Sequence, residues 1–207
     1  MKTPTVRVVK VGGSLLDLPD LPARLRDWLA RQQPAHQVLI AGGGSLVEQV
    51  RHWHAAQPLD EVVAHWMCVD LLAVTARLLQ ARLPEIPLVE DDRLLRERAA
   101  KTGCSIFDPA AWLRRSEPGL LGTRLPSNWE VTSDAIAGRL AVTLDAEELV
   151  LMKSVLPQSA VSSEISHLSA TGYIDPMLAR LASELPSTRL VNLRSDPPQE
   201  LEKIGPC

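Results

Sequence analysis

The sequence predicts an α/β protein built on a mainly parallel central sheet, and three observations carry that prediction. Short continuous apolar runs recur along the chain in place of strict alternations, as strands covered on both faces require. Helical patterns fall between these runs. Two of the runs lead straight into glycine-rich turns, VRVVKVGGSLL and QVLIAGGGSLVEQV.

Taken in order, the first predicted strand is Val6–Val11, ending beside Lys10, Gly12, Gly13 and Ser14. Leu21, Leu25, Trp28 and Leu29 then share one helix face, with Asp20 placed to cap the helix and Pro22 to start it. The second strand, Gln37–Ala41, runs into Gly42, Gly43 and Gly44, and Leu46, Val47 and Val50 mark the helix that follows. Val62 to Leu83 reads as the longest helix, stopped by Pro84. Its apolar core, Val62 to Val74, is interrupted by His65 and Asp70 and is shorter than a membrane span, so a buried or interface helix is expected. Strands are predicted at Pro87–Glu90, Cys104–Phe107, Glu148–Lys153 and Thr188–Leu193, with helices at Ser133–Leu144 and Ile174–Leu185. Glu117 to Asn128 and Leu156 to Gly172 read as loops. The tail SDPPQELEKIGPC reads as a loosely held end.

A chain of 207 residues, 45% hydrophobic and 23% charged, fits one domain over 1–207 with a sizeable core. A net charge of -3 argues against broad binding to nucleic acid or an anionic membrane, so any anion site is local. Cys68, Cys104 and Cys207 show no paired spacing, and the N-terminus runs directly into a strand without a signal peptide. Both point to the cytoplasm, with the thiols as core fillers. His52 and His54 are two apart and do not share a helix face, so no metal pair is expected there.

Two familiar glycine-loop readings fail. A P-loop needs a lysine that neither turn supplies at the right spacing, and a dinucleotide fingerprint from Gly42 places Val47 where a small residue belongs. What remains is a constellation. Lys10, Asp134 in VTSDAIAGRLA, and Lys153 at the end of ELVLMK all fall near the carboxyl ends of parallel strands, where open α/β sheets bind ligands. Two lysines neutralise the oxygens of a transferring phosphoryl group, and a carboxylate between them fixes both. Two glycine turns at one sheet edge suit two phosphates, or a phosphate and a carboxylate. The glycine loops have no convincing general base, which favours an acceptor that is already ionised over an alcohol.

The set KVGGS, AGGGS, VTSDAIAGRLA and LVLMKSV, in that order over nearly the whole chain, resembles the amino acid kinase superfamily. The resemblance implies a three-layer α/β/α sandwich, ATP with Mg2+ held mainly by the ATP phosphates, and a homodimer or larger homo-oligomer. It implies that Lys10 contacts the transferring phosphoryl group, with Gly12, Gly13 and Ser14 as donors. Lys153 would hold the β- and γ-phosphates, Asp134 would orient both lysines, and Thr132 and Ser133 would lie on the nucleotide side. Gly42, Gly43 and Gly44 would approach the acceptor's anionic group. His65, a polar group on an otherwise apolar helix, should face something polar and would line the acceptor pocket or an oligomer interface. AHWMCVDLLAVTARLL, WEVTSD, GYIDP and TRLVNL are similar to the small aminomethylfuran phosphate kinase branch, whose acceptor is [5-(aminomethyl)furan-3-yl]methyl phosphate in methanofuran-type one-carbon cofactor synthesis. Carboxylate kinases, nucleoside monophosphate kinases and a non-catalytic nucleotide-binding member stay open. The chain departs from the family after Lys153: KSVLPQSAVSSEI has no glycine until Gly172, where many members carry a turn that shapes the nucleotide pocket.

Overall fold

The computed structural model describes residues 5–157 and 164–204. Seven strands form one sheet: β1 (Val6–Val11), β2 (His36–Ala41), β3 (Leu88–Val89), β4 (Gly103–Phe107), β5 (Glu148–Lys153), β6 (Ser187–Asn192) and β7 (Gln199–Ile204). Their order is β3-β4-β2-β1-β5-β6-β7, parallel throughout except for β7 against β6. The central strands β1, β2 and β5 bury both faces, which is why they read as unbroken apolar runs.

Strand parity sorts the core into two layers. Val8, Val38, Ile40, Leu149, Leu151 and Leu190 pack on one face against α6 (Ser133–Thr143) and the short α7 (Ile165–Ala170) and α8 (Pro176–Arg180). Val9, Val11, Leu39, Val150, Met152 and Val191 pack on the other against Leu21, Leu25 and Trp28 of α1 (Leu21–Ala30). The result is the expected three-layer α/β/α sandwich. Parity also sets the site: Lys10 is in phase with Val8, and Lys153 with Leu149 and Leu151, so both lysines face the layer that carries α6.

Helix α2 (Gly44–Ala56) begins inside the triple glycine. Helix α3 (Glu61–Arg82) is capped by Asp60, whose carboxylate accepts from the backbone of Val62 and Val63. By length and composition α3 is long enough and apolar enough to cross a membrane. It gives Val69 and Leu72 to one core layer and Ala76 and Leu79 to the other, leaving Val63, Met67, Val74 and Leu78 exposed.

Several sequence expectations need correcting. Asp20 stands at the start of α1, but its carboxylate takes Arg24 at 2.7 Å instead of capping the backbone. Helices α4 (Asp92–Ala99) and α5 (Ala110–Arg115) were not anticipated; both are short, and α4 is rich in charge. The last predicted helix starts later, at Pro176, because Asp175 caps it there, and it ends at Arg180. The loosely held tail contains β7, which covers the edge of β6. Cys104 is partly buried and packs against the core layer of Val9 and Leu39, whereas Cys68 is half-buried and lines the cleft described below. Cys207 and part of the glycine-free stretch after Lys153 lie outside the described residues.

Candidate active site

The two glycine turns interlock. Gly12 N–H continues the ladder to Met152 O at 2.9 Å, and Gly42 N–H does so to Val11 O at 2.8 Å. Beyond those bonds the backbones touch: a Cβ on Gly13 would lie 2.1 Å from Gly44 N, and Gly44 itself has φ +58°. Only glycine permits this approach and this conformation. Because α2 starts at Gly44, its first N–H groups have no partner within the helix, and this end of the helix lies against Gly13.

Asp134 lies one residue into α6, whose start is capped by the Thr132 hydroxyl. Lys10 Nζ lies 2.9 Å from Asp134 Oδ1, and Lys153 Nζ donates to Oδ2 at 2.6 Å. The Asp134 side chain is 4% exposed, that of Lys10 7%, and that of Lys153 17%. Burial alone would raise the Asp134 pKa, but the two ammonium groups outweigh it and hold the carboxyl well below the usual carboxylate range. Burial lowers the Lys10 pKa against the pull of Asp134, and the charge of Lys153 adds to that lowering. Asp134 is therefore a fixed counter-ion and a poor proton acceptor.

These groups border a cleft of about 650 Å³. Of the residues predicted from sequence, Lys10, Gly13, Ser14, Gly43, Gly44, His65, Thr132, Ser133, Asp134 and Lys153 all line it. Gly12 and Gly42 stand behind this lining, bonded to the neighbouring strands. The Ser14 hydroxyl is hydrogen-bonded to Ser154 across the strand ends. Thr132 is less free than its motif suggests, since its hydroxyl donates to Asp175 at 2.6 Å.

Sequence reasoning missed three residues. Tyr173 holds Lys153 twice, through its carbonyl oxygen at 3.0 Å and its ring face at 5.2 Å, while its hydroxyl donates to Val155 O at 2.7 Å. Asp175, two residues on, accepts from the backbone of Thr132, Ala135 and Leu178 as well as the Thr132 hydroxyl, tying α8 to the start of α6. Burial raises its pKa, and the neighbouring Asp134 charge raises it further. Trp129 lines the opposite wall, with the His54 ring at 5.0 Å and the Arg51 guanidinium at 6.0 Å from its own ring. GYIDP and WEVTSD were visible motifs, but nothing in their local spacing says what they touch.

Among the described residues, no group of three or more His, Cys, Asp or Glu could hold a metal ion. Asp134, the carboxylate nearest the lysines, is already neutralised by both. The donors suit polyphosphate oxygens, and a divalent cation brought by that polyphosphate would find most of its ligands there.

No protein-family model matches the chain, and no curated protein matches its sequence. Solved structures do match. Uridylate kinase from Archaeoglobus fulgidus superposes with a TM-score of 0.60 at 18% identity, over 89% of this chain and 88% of that one. UMP kinase from Ureaplasma parvum gives 0.57 at 15% identity, over 93% and 91%. Aspartate kinase from Synechocystis gives 0.59 at 15%, over 95% of this chain but 40% of the longer enzyme. At such identities the likeness is one of fold: an α/β fold like that of these kinases, as the sequence resemblance implies.

Proposed function

We propose that this protein is an ATP-dependent kinase that transfers the γ-phosphoryl group in line to an acceptor already carrying an oxyanion. The observation that carries the reading is the Lys10–Asp134–Lys153 triad, buried at the strand ends beside two interlocked glycine turns. Likeness in fold to uridylate, UMP and aspartate kinases supports it.

Lys153 has three N–H donors. One goes to Asp134 and one to the Tyr173 carbonyl, leaving the third for a phosphate oxygen. Lys10 meets the transferring group from β1, and Gly13 with the N-terminal N–H groups of α2 faces the anions between them. Mg2+, arriving with ATP, would neutralise β- and γ-oxygens. The acceptor oxygen bonds to the γ-phosphorus as the bond to the β-phosphate oxygen breaks, and ADP leaves with that electron pair. No base is required for a phosphate monoester, whose second pKa is about 6. Asp134, pinned between two cations, would serve badly as one.

A phosphate monoester is the favoured acceptor, with [5-(aminomethyl)furan-3-yl]methyl phosphate first among candidates, on the motif resemblance. A carboxylate acceptor needs no base either. The deciding experiment incubates the protein with Mg·ATP and each acceptor class and identifies the product by phosphorus NMR. A diphosphate supports the proposal. An acyl phosphate trapped by hydroxylamine moves the enzyme to the carboxylate class, and ADP formation with neither product contradicts transfer to an oxyanion.

A further inference from the structure

Two lysines share Asp134, so the triad by itself leaves one positive charge in excess among side chains that are largely buried. An uncompensated buried charge is costly, and an ammonium relieves that cost by giving up its proton. Lys10 is under this pressure, since burial and the Lys153 charge both favour its neutral form. A second carboxylate works the other way.

Asp175 is 7% exposed and stands at the start of α8. Its Oδ2 accepts from Thr132 N–H at 3.1 Å, from the Thr132 hydroxyl at 2.6 Å and from Ala135 N–H at 3.0 Å. Its Oδ1 accepts from Leu178 N–H at 2.6 Å. Every one of these partners donates, so none can take a carboxyl proton, and the group is ionised at neutral pH. Thr132 and Ala135 bracket Asp134 at the start of α6, which brings the Asp175 charge within about a helical turn of the triad. Capping does not call for that charge, because a neutral Asn or Ser caps a helix as well. Burial and the Asp134 charge make it expensive to hold.

The charges acting on Lys10 come from three elements: Asp134 on α6, Lys153 on β5 and Asp175 at the start of α8. Asp17, Glu48, Arg51, His65 and Tyr173 border the cleft around them. We propose that Asp175 is a positioning residue that acts through Lys10: its charge, fixed against the start of α6, balances the second ammonium and keeps Lys10 protonated. That this ammonium meets a transferring phosphoryl group rests on the reading above; the charge balance does not.

The test follows the Lys10 side-chain signal against pH in carbon-13-lysine-labelled protein without nucleotide. In Asp175→Asn the midpoint of Lys10 deprotonation should fall by about one pH unit. Thr132→Val removes a donor to Asp175 and the side-chain cap of α6 but keeps the charge, so its midpoint should stay close to that of the wild type. An unchanged midpoint in Asp175→Asn overturns the inference. So does an equal fall in Thr132→Val, which would make the effect one of structure and not of charge. If Asp175→Asn does not fold, the Asp175 carboxyl carbon of the wild-type protein replaces it. That carbon should show the ionised shift at neutral pH, and the Lys10 signal should move at the pH where the carboxyl protonates. A protonated carboxyl at neutral pH, or a Lys10 signal that ignores its titration, overturns the inference. Turnover with Mg·ATP is followed in parallel, and in Asp175→Asn the alkaline limb of kcat should move down by the same interval. Absence of diphosphate from the wild-type protein contradicts the kinase reading alone, since the Lys10 titration decides the charge balance without it.

Discussion

Lys10 and Lys153 grip one carboxylate from opposite sides, yet the two sides are built on different principles. On the Lys10 side everything is local and backbone-driven: a central strand, a glycine turn, and a second glycine turn seated against it at distances no side chain would tolerate. On the Lys153 side the strand end is more open, and the lysine is steadied by Tyr173 from twenty residues away, itself tied down through Val155 and Asp175. The first side is rigid because nothing fits between its parts. The second is held by a few directed side-chain contacts, each of which a single substitution removes. The teaching is that one counter-ion can join a stiff half-site and an adjustable one.

The largest expected effect is at the stiff side. Lys10→Ala should lower kcat by about 10³-fold, the scale of losing a cation or donor aimed at developing charge. It also leaves Asp134 with one partner, so thermal unfolding should show a loss of about 3 kcal/mol. A kcat within a few-fold of wild type would remove Lys10 from the chemistry. Gly13→Ala comes next. Its Cβ must push the two turns apart against backbone, so a stability loss of about 1–3 kcal/mol is expected, together with weaker anion binding in calorimetry. Unchanged binding would show that the turns do not need their close approach.

Tyr173→Leu is the matching perturbation on the adjustable side. It keeps the backbone carbonyl but removes the ring face and the hydroxyl. A fall in kcat of about tenfold is expected, with Tyr173→Phe retaining most of the activity because the ring face stays. Equal effects from Leu and Phe would assign the work to the hydroxyl. The smallest effect is on pH dependence. The folded-state pKa of Asp134 is depressed, so the stability it contributes is present above its unfolded pKa of about 4 and is lost as pH falls below that. Asp175, raised by burial, has the opposite sign: ionising it as pH rises costs stability. Asp134→Asn should therefore flatten the acid limb of a stability-versus-pH curve, and an unchanged limb would contradict the ion-paired assignment.

This contrast also marks what the sequence could reveal. The strand ends at Val11 and Lys153 and the two glycine turns were legible because buried parallel strands write continuous apolar runs and close backbone contact demands glycine. Lys10, Asp134 and Lys153 could be placed at one sheet edge by topology alone. Tyr173, Asp175 and Trp129 could not, since their roles come from contacts across the fold that leave no local period. The same holds for β7, whose QELEKI has only Leu201 and Ile204 as apolar residues, out of step with a strand's period of two, and is made a strand by the edge of β6. Asp91 caps α4, but eight residues with three arginines, one aspartate and one glutamate among them carry too weak an apolar pattern to announce a helix.

The central claim is that the triad and its glycine turns form a working polyphosphate site, and calorimetric titration with a non-hydrolysable ATP analogue and Mg2+ tests it most directly. Micromolar binding is expected, weakened at least tenfold in Lys153→Ala, whose third donor is assigned to phosphate. No binding by a protein shown to be folded, or equal binding by Lys153→Ala, would contradict it.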